Sequence, residues 1–329
     1  MRPKNIIIIR PDHLGDLILS LPVAKAIKEK FPDSHITYFA APGPAAIAPM
    51  VSYIDEWLLD GNSGQRLRID ELVRLLRQGE FDTLIELKSS WRTAAAGFFA
   101  GISNRIGTGR RLYSFFYNRR VNLRRRGTGQ HQTDLDLVML KPLGIDVSGL
   151  LPSVTLPENL KYAAGRLVAG SIKGYIVIHP GSMGSAPNWP VDYYRELAKL
   201  ILRETDFKVV ITGLDTDLGD FKGCLNLCNK TNLGELAGIL RGAKLLISGG
   251  TGPLHLADAL GTRSLAFFPR HANIDERRWG PRRHPEGIML PSGDNCRSSS
   301  LKRCTCLKQI SPEAAFERMK EVLNLELVN

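Results

Sequence analysis

"IIIIRPDHLGDLILSLPVAKAIKEKF", residues 6–31, opens like a nucleotide-binding α/β domain. Four isoleucines in a row suit a strand buried on both faces, and the periodic apolar positions over 17–30 suit a helix. The loop between them, RPDHLGD, is not the G-x-G-x-x-G fingerprint that cradles a pyrophosphate. It carries charge instead: Arg10 closes the strand, and Asp16 stands six residues later where the helix begins. A carboxylate in that place can simply complement the helix macrodipole. With Arg10 nearby as counter-charge, it can also serve as a general base. Pro22 predicts a helix start near Ser20 or a kink there.

Outward from this unit the pattern repeats. Strands are predicted at 5–10, 35–39, 56–59 and 81–87, and helices at 17–30, 69–78 and 93–100. Alternating strand and helix means βαβ units and a parallel sheet covered on both faces. The stretch "PLGIDVSGLLPSVTLPE", 142–158, is rich in proline and glycine and has no sustained period, which places a domain boundary there. The alternation then restarts, with a strand and glycine turn in "GYIVIHPGS", 174–182, strands at 208–212, 244–248 and 264–268 and helices at 191–203, 233–241 and 253–260. A last helix, 312–325, follows Ser311 as N-cap and Pro312 at the first turn. The expected fold is α/β, with two doubly wound, Rossmann-like parallel-sheet domains facing across a cleft. Domain limits are expected at 1–157 and 158–310, with 311–329 a C-terminal helix that could pack back on the first domain. Ligands are expected outside the carboxyl ends of the strands.

At 329 residues the chain is long enough for two cores. It has no apolar run of the roughly 20 residues that a spanning helix needs, and no signal peptide, so a cytoplasmic location is expected. Five cysteines, an odd number, argue for thiols over a disulfide framework. Cys296, Cys304 and Cys306 cluster in "CRSSSLKRCTC", but three ligands with unequal gaps fall short of a structural zinc site, and no metal is expected. The net charge of +11 is local: "GRRLYSFFYNRRVNLRRRG", 109–127, holds seven arginines and no acid. Such a run suits a polyanion or a solvated loop. Its interleaved Tyr113, Phe115, Phe116 and Tyr117 could stack bases, insert at a membrane interface or pack inward. No nucleic-acid module accompanies them, so nucleic acid is not an expected partner.

In the second half, "ISGGTGPLHLADALG" places Gly249, Gly250, Thr251 and Gly252 between a strand and a helix that starts at Pro253. Backbone N–H groups at such a helix end form an anion site, and the Thr251 hydroxyl adds a donor. The alternative is a tight turn that needs glycine. "HPGSMGS", 179–185, repeats the idea after another strand, so that two loops on neighbouring strands could clamp a diphosphate. His255, one turn into the helix, can reach a phosphate or sugar oxygen or be a hydrogen-bonded core histidine. Asp217, in "TGLDTDLGD", is placed like the acid that accepts a ribose hydroxyl, and equally like a loop or capping aspartate.

"RPDHLGDLILSLPVAKAIKEKFP", "HPGS", "NWPVDYYRELAKLI", "ISGGTGPLHLADALGT" and "CLKQISPEAAFERM", in this order over residues 6–320, resemble the ordered motifs of glycosyltransferase family 9, the bacterial ADP-heptose:lipopolysaccharide heptosyltransferases. The motifs are specific as a set and weak singly. The resemblance implies a GT-B fold, with the acceptor mainly on the first domain and the nucleotide sugar mainly on the second. It implies an inverting transfer in which Asp16, matching the aspartate of the family's G-D motif, takes the acceptor proton. Arg10 aligns with a basic residue beside the catalytic loop. Ser182, Gly250, Thr251 and Gly252 match the diphosphate contacts, and Asp217 an acidic nucleoside contact; Asn188 and His255 belong to the same donor region. Lys88 and Arg92, in "ELKSSWRT", sit where acceptor contacts are expected, and Arg124 and Arg125 would face the anionic glycolipid and the membrane. No cofactor is implied beyond the nucleotide-sugar co-substrate, and no essential metal.

Two departures fall on donor binding. Pro187 stands where many members have a basic residue two positions before Trp-Pro, and Gly249-Gly250-Thr251-Gly252-Pro253 replaces the familiar N-D-T-G-P. The sequence therefore predicts a monomeric inverting glycosyltransferase that moves heptose or a related sugar, from ADP-heptose, to the inner core of a lipid A–Kdo type lipopolysaccharide at the cytoplasmic membrane face. Competing readings are the same reaction with another nucleotide sugar, or a catalytically silent relative that binds nucleotide or glycolipid. A nucleic-acid binder would show steep salt dependence and indifference to nucleotide sugars. An NAD-dependent oxidoreductase is disfavoured by the missing G-x-G-x-x-G.

Overall fold

A computed structural model describes residues 2–324 except 63, 126, 169–173, 183, 185–186, 215–218, 272–273 and 294–303. Asp217, Arg126 and Cys296 therefore lie outside the described residues. The chain divides into two units, Met1–Thr155 and Leu156–Asn329, two residues before the boundary expected from the proline-rich segment.

The first unit runs β1 (Asn5–Arg10), α1 (Leu14–Lys30), β2 (His35–Ala40), β3 (Glu56–Leu59), α2 (Ile69–Gln78), β4 (Thr83–Glu86), α3 (Trp91–Phe99), β5 (Asn104–Thr108), β6 (Arg119–Val121) and α4 (Gln132–Leu137). Its six strands are all parallel, in the order β3-β2-β1-β4-β5-β6. The strand order reverses between β1 and β4, which are hydrogen-bonded neighbours with Ile9 opposite Glu86. This is the topological switch point, where an open parallel sheet leaves room for a ligand at its carboxyl edge. Ile7, Ile9, Phe39, Leu72, Leu76, Leu84 and Ala96 form a core between sheet and helices. Each such buried side chain contributes about 1.5–3 kcal/mol of hydrophobic stabilisation.

The second unit repeats the plan: α5 (Glu158–Leu167), β7 (Tyr175–His179), α6 (Val191–Glu204), β8 (Lys208–Ile211), β9 (Leu225–Asn226), α7 (Leu233–Gly242), β10 (Leu245–Gly249), α8 (Gly252–Leu260), β11 (Ser264–Phe267), α9 (Glu276–Trp279), β12 (Ile288–Met289) and α10 (Pro312–Leu323). Its order, β12-β11-β10-β7-β8-β9, is the same winding, with its switch point between β7 and β10. Trp189 anchors the core, stacked on Phe267 at 4.2 Å with its Nε1–H donating to the Ile310 carbonyl at 2.9 Å.

Three features go beyond the sequence reading. Helix α1 starts at Leu14 and runs unbroken through Pro22. Residues 17–24 are all buried, so packing on every side offsets the roughly 3 kcal/mol that an interior proline costs. The final helix, capped by Ser311 Oγ accepting from Ala314 N at 3.2 Å, belongs to the second unit. Ala315, Phe316, Met319 and Val322 are buried in the second unit's core with Trp189 and Phe267. Strands β5 and β6 and helix α5 were not predicted, because Asn-Arg-Ile-Gly-Thr and Arg-Arg-Val lack an apolar run and α5 lies at the proline-rich boundary.

Candidate active site

The carboxyl ends of β1 and β4 hold a buried ionic cluster built around Arg10. Its guanidinium, with 2% of the side chain exposed, meets three carboxylates: Asp16 Oδ1 at 2.6 Å, Asp12 Oδ1 at 2.9 Å and Asp136 Oδ1 at 3.3 Å. It also donates to the Leu87 carbonyl at 3.3 Å. Burial works against the arginine's charge, but Asp136, Asp12 and Asp16 together outweigh it and raise its pKa. Asp136, from α4, is fully buried and further bound by Gln132 Nε2 to both oxygens at 3.0 Å and by Arg125 Nη1 at 3.0 Å. Arg125 Nη2 donates to the Leu87 carbonyl at 3.0 Å, and Lys88 Nζ lies 3.5 Å from Asp12 Oδ2. Three cations thus balance three carboxylates.

Within this cluster the two aspartates of the segment between β1 and the first turn of α1 differ. Asp12 is almost fully buried, and burial pushes its carboxyl pKa up, with Asp16 and Asp136 adding to the rise and Arg10 and Lys88 opposing it. Asp16 lies in the first turn of α1 and keeps 21% of its side chain exposed. Arg10 fixes its Oδ1, and among the described residues no group is bonded to Oδ2. One oxygen held and one open is the arrangement a proton acceptor needs.

A second buried acid braces the neighbouring loop. Glu86, at the end of β4, accepts from Ser90 N at 2.8 Å and from the hydroxyls of Thr93 and Tyr117. Burial pushes its pKa up to about 7, against the lowering effect of the bonds from Thr93, Tyr117 and Ser90 and of nearby Arg92. Ser90 caps α3 by accepting from Thr93 N at 3.2 Å, so Glu86 fixes where Lys88 and α3 begin.

The structure therefore brings Arg10, Asp16, Lys88 and Arg125 together and leaves Arg92 out. Arg92 binds Asp60 at 2.5 Å and the Leu67 carbonyl at 2.8 Å, a tie between α3 and the loop after β3. That is not the solvated helix-start charge that was one expectation for it. Arg124 is exposed, whereas Arg125 turns into the cluster, so the arginine run is not one solvated face. Asp12, Asp136 and Glu86 were missed. Asp12 stood within the quoted loop as a second acid, but Asp136, 126 positions from Arg10, gave no local signal.

In the second unit the predicted loops do leave adjacent strands, β7 and β10, at the switch point. Ser182 and Thr251 are buried, Asn188 is exposed, and a Cβ built at Gly249 would lie 3.9 Å from the Pro187 carbonyl oxygen. Thr251 is the N-cap of α8, yet its side chain makes no capping bond; its hydroxyl lies 3.5 Å from the Gly249 carbonyl oxygen. A hydroxyl and a helix N-terminus on one short loop can receive an anion. Gly250 has a packing reason of its own, since a Cβ there would sit 2.6 Å from Phe268 Cε1. His255 is buried in α8 with its ring 6.4 Å from Trp279, in keeping with a core histidine. His179, at the end of β7, pairs with Thr212 Oγ1 at 3.0 Å, and burial lowers its pKa to about 4. Cys304 and Cys306 are not disulfide-bonded, with their sulfurs 3.1 Å apart.

Comparison with known proteins shows the family and the fold. Residues 69–308 match the model of glycosyltransferase family 9 (heptosyltransferase). Lipopolysaccharide heptosyltransferase 2 of Escherichia coli (strain K12) is 25% identical over 290 residues, covering 80% of this chain and 82% of the relative. Among solved structures, a family 9 glycosyl transferase from Veillonella parvula superposes with a TM-score of 0.82 at 20% identity, covering 98% of both chains. The E. coli ADP-heptose lipopolysaccharide heptosyltransferase II gives a TM-score of 0.77 at 19% identity over 97% of this chain and 98% of that one. The fold is that of the GT-B heptosyltransferases. With the family model covering most of the sequence and both switch points occupied by the motif residues, the chain belongs to glycosyltransferase family 9, the heptosyltransferase family.

Proposed function

We propose that this protein is an inverting glycosyltransferase that moves heptose from ADP-heptose to the inner core of lipopolysaccharide, acting as a monomer on the inner face of the cytoplasmic membrane. The observation that carries the reading is the Arg10–Asp16 pair at the first switch point, with Asp16 Oδ1 held at 2.6 Å and Oδ2 open. In the reaction the acceptor hydroxyl oxygen attacks the anomeric carbon and its proton passes to the Asp16 carboxylate. The bond from that carbon to the diphosphate breaks, and its electron pair leaves with the nucleoside diphosphate, so the anomeric configuration inverts. The N-terminus of α8, with Thr251 and Ser182, is suited to bear the charge that develops on the diphosphate, without an essential metal. Lys88, Arg125 and the exposed Arg124 are suited to the anionic acceptor, with Asn188, His255 and Asp217 assigned to the donor by their motif positions.

A second reading keeps this chemistry and changes the donor. Gly250, just after β10, stands where the family's acid would contact the donor sugar, and Pro187 replaces the usual basic residue. Calorimetry of the purified protein against ADP-heptose and against ADP, UDP, GDP and CMP sugars at fixed salt separates the two. Selective binding of ADP-heptose supports the first reading, preference for another nucleotide sugar the second, and no binding to any contradicts both.

A further inference from the structure

The ionic cluster and the glycine loop do not account for a third feature, on α3 and the segment Leu112–Phe116. Phe98 and Phe99 at the end of α3 are 45% and 54% exposed, Phe115 is 64% exposed and Leu112 99% exposed. The three phenylalanines are not scattered, and Leu112 lies three residues before Phe115 in the same segment. Phe98 and Phe99 lie 5.5 Å and 6.2 Å from the Phe116 ring, which in turn packs 4.3 Å from Phe115. A contiguous apolar patch of this kind on a protein surface marks a contact site. The stretch of chain that builds it carries one sign of charge. Between Glu86 and Asp134 there is no acid in 47 residues, and the same stretch holds ten cations. Of these, Arg110, Arg111, Arg120 and Arg124 are exposed, and Arg110 and Arg111 directly precede Leu112. Arg105 lies over the Phe98 ring at 5.3 Å, so the guanidinium border begins at the patch itself.

We propose that this surface seats the first unit on an anionic lipid bilayer, with Phe98, Phe99, Leu112 and Phe115 inserted at the headgroup level and the arginines bound to lipid phosphates. Rings framed by cations match an interface that is apolar below and negatively charged above. A partner protein of ordinary mixed charge would leave many of this segment's exposed arginines uncompensated. The segment joins the site to the bilayer mechanically: Tyr117, one residue beyond the patch, is bonded to Glu86, which holds the start of α3. The proposal makes the bilayer a partner in its own right, and it leans on the proposed transferase function only for the choice of membrane face.

The test uses vesicles that contain neither acceptor nor donor, so its failure is separate from failure of the transferase reading. Co-sedimentation is measured with phosphatidylcholine vesicles and with vesicles containing phosphatidylglycerol. Wild-type protein is expected on the anionic vesicles only. Arg110→Ser with Arg111→Ser should lower partitioning by about tenfold or more at low salt. Phe99→Ser, Leu112→Ser and Phe115→Ser together should remove the binding that survives at high salt. Depth is read from Phe115→Trp, which should show emission quenched by brominated lipid beyond that of wild type. Unchanged binding of the triple variant, or no added quenching, would overturn the proposal. So would a concentration-dependent dimer that the triple variant abolishes, or a preference for single-stranded RNA over anionic vesicles at equal salt.

Discussion

Arg10 holds Asp16 at 2.6 Å from within the protein, and the same guanidinium is held in turn by Asp136, 126 positions away, at 3.3 Å. The proposed base is therefore positioned, through Arg10, by a fully buried carboxylate. Removing that carboxylate would leave Arg10 and Arg125 without their shared counter-charge, and an uncompensated buried charge typically costs about 3–5 kcal/mol. Asp136→Asn should therefore lower the unfolding free energy of the first unit by an amount in that range, and the denaturant midpoint with it. Urea titration followed by hydrogen exchange of β1 and β4 checks this; a midpoint within error of wild type would show that the cluster adds little stability.

The donor loop predicts a contrast between two neighbouring residues. Thr251 makes no capping bond, so Thr251→Val should leave stability nearly unchanged while weakening donor binding roughly tenfold, the loss expected for one hydrogen bond to a charged group. Gly250→Ala drives a Cβ to 2.6 Å from Phe268 and should cost about 1–3 kcal/mol of stability. Thermal unfolding and calorimetry on both variants separate the roles. Equal loss of stability in the two would remove the distinction.

Acid should act oppositely on the two units. In the first, Glu86 has its pKa raised by burial to about 7 from 4.5, so the folded state binds its proton more tightly than the unfolded. Its contribution is fully present below about 4.5 and is lost as pH rises through about 7. In the second, burial lowers His179 from 6.5 to about 4, so its contribution is present above about 6.5 and lost as pH falls toward 4. Hydrogen exchange resolved by unit, between these values, should show the β4 region gaining protection on acidification and the β7 region losing it. Glu86→Gln should flatten the first response by on the order of a few kcal/mol. Parallel behaviour of both regions would contradict these assignments.

The residues that could be read in the sequence were those whose signal is local. Isoleucine runs fixed β1 and its neighbours, and a glycine loop before Pro253 fixed α8, so both switch points were found with Asp16, Ser182 and Thr251 beside them. What escaped notice depends on contacts between distant segments. Nothing near Asp136 announces Arg10, and nothing in "ELKSSWRT" shows that Arg92 will close on Asp60 while Lys88 meets Asp12. Pro22 misled because local propensity opposes a helix there, and burial along α1 overrides it. The short strands β5 and β6 are edge-ward and rich in arginine, asparagine and glycine, so neither periodicity nor apolar content marks them.

The central claim is that Asp16 takes the acceptor proton. It is tested most directly by Asp16→Asn, with turnover and donor affinity measured on the same preparation. Asparagine keeps the size and can still accept from Arg10 but cannot take a proton, so turnover should fall by about 10²–10⁴-fold while donor Kd stays within about twofold of wild type. Turnover close to that of wild type would show that another group, with buried Asp12 the nearest alternative, carries the proton.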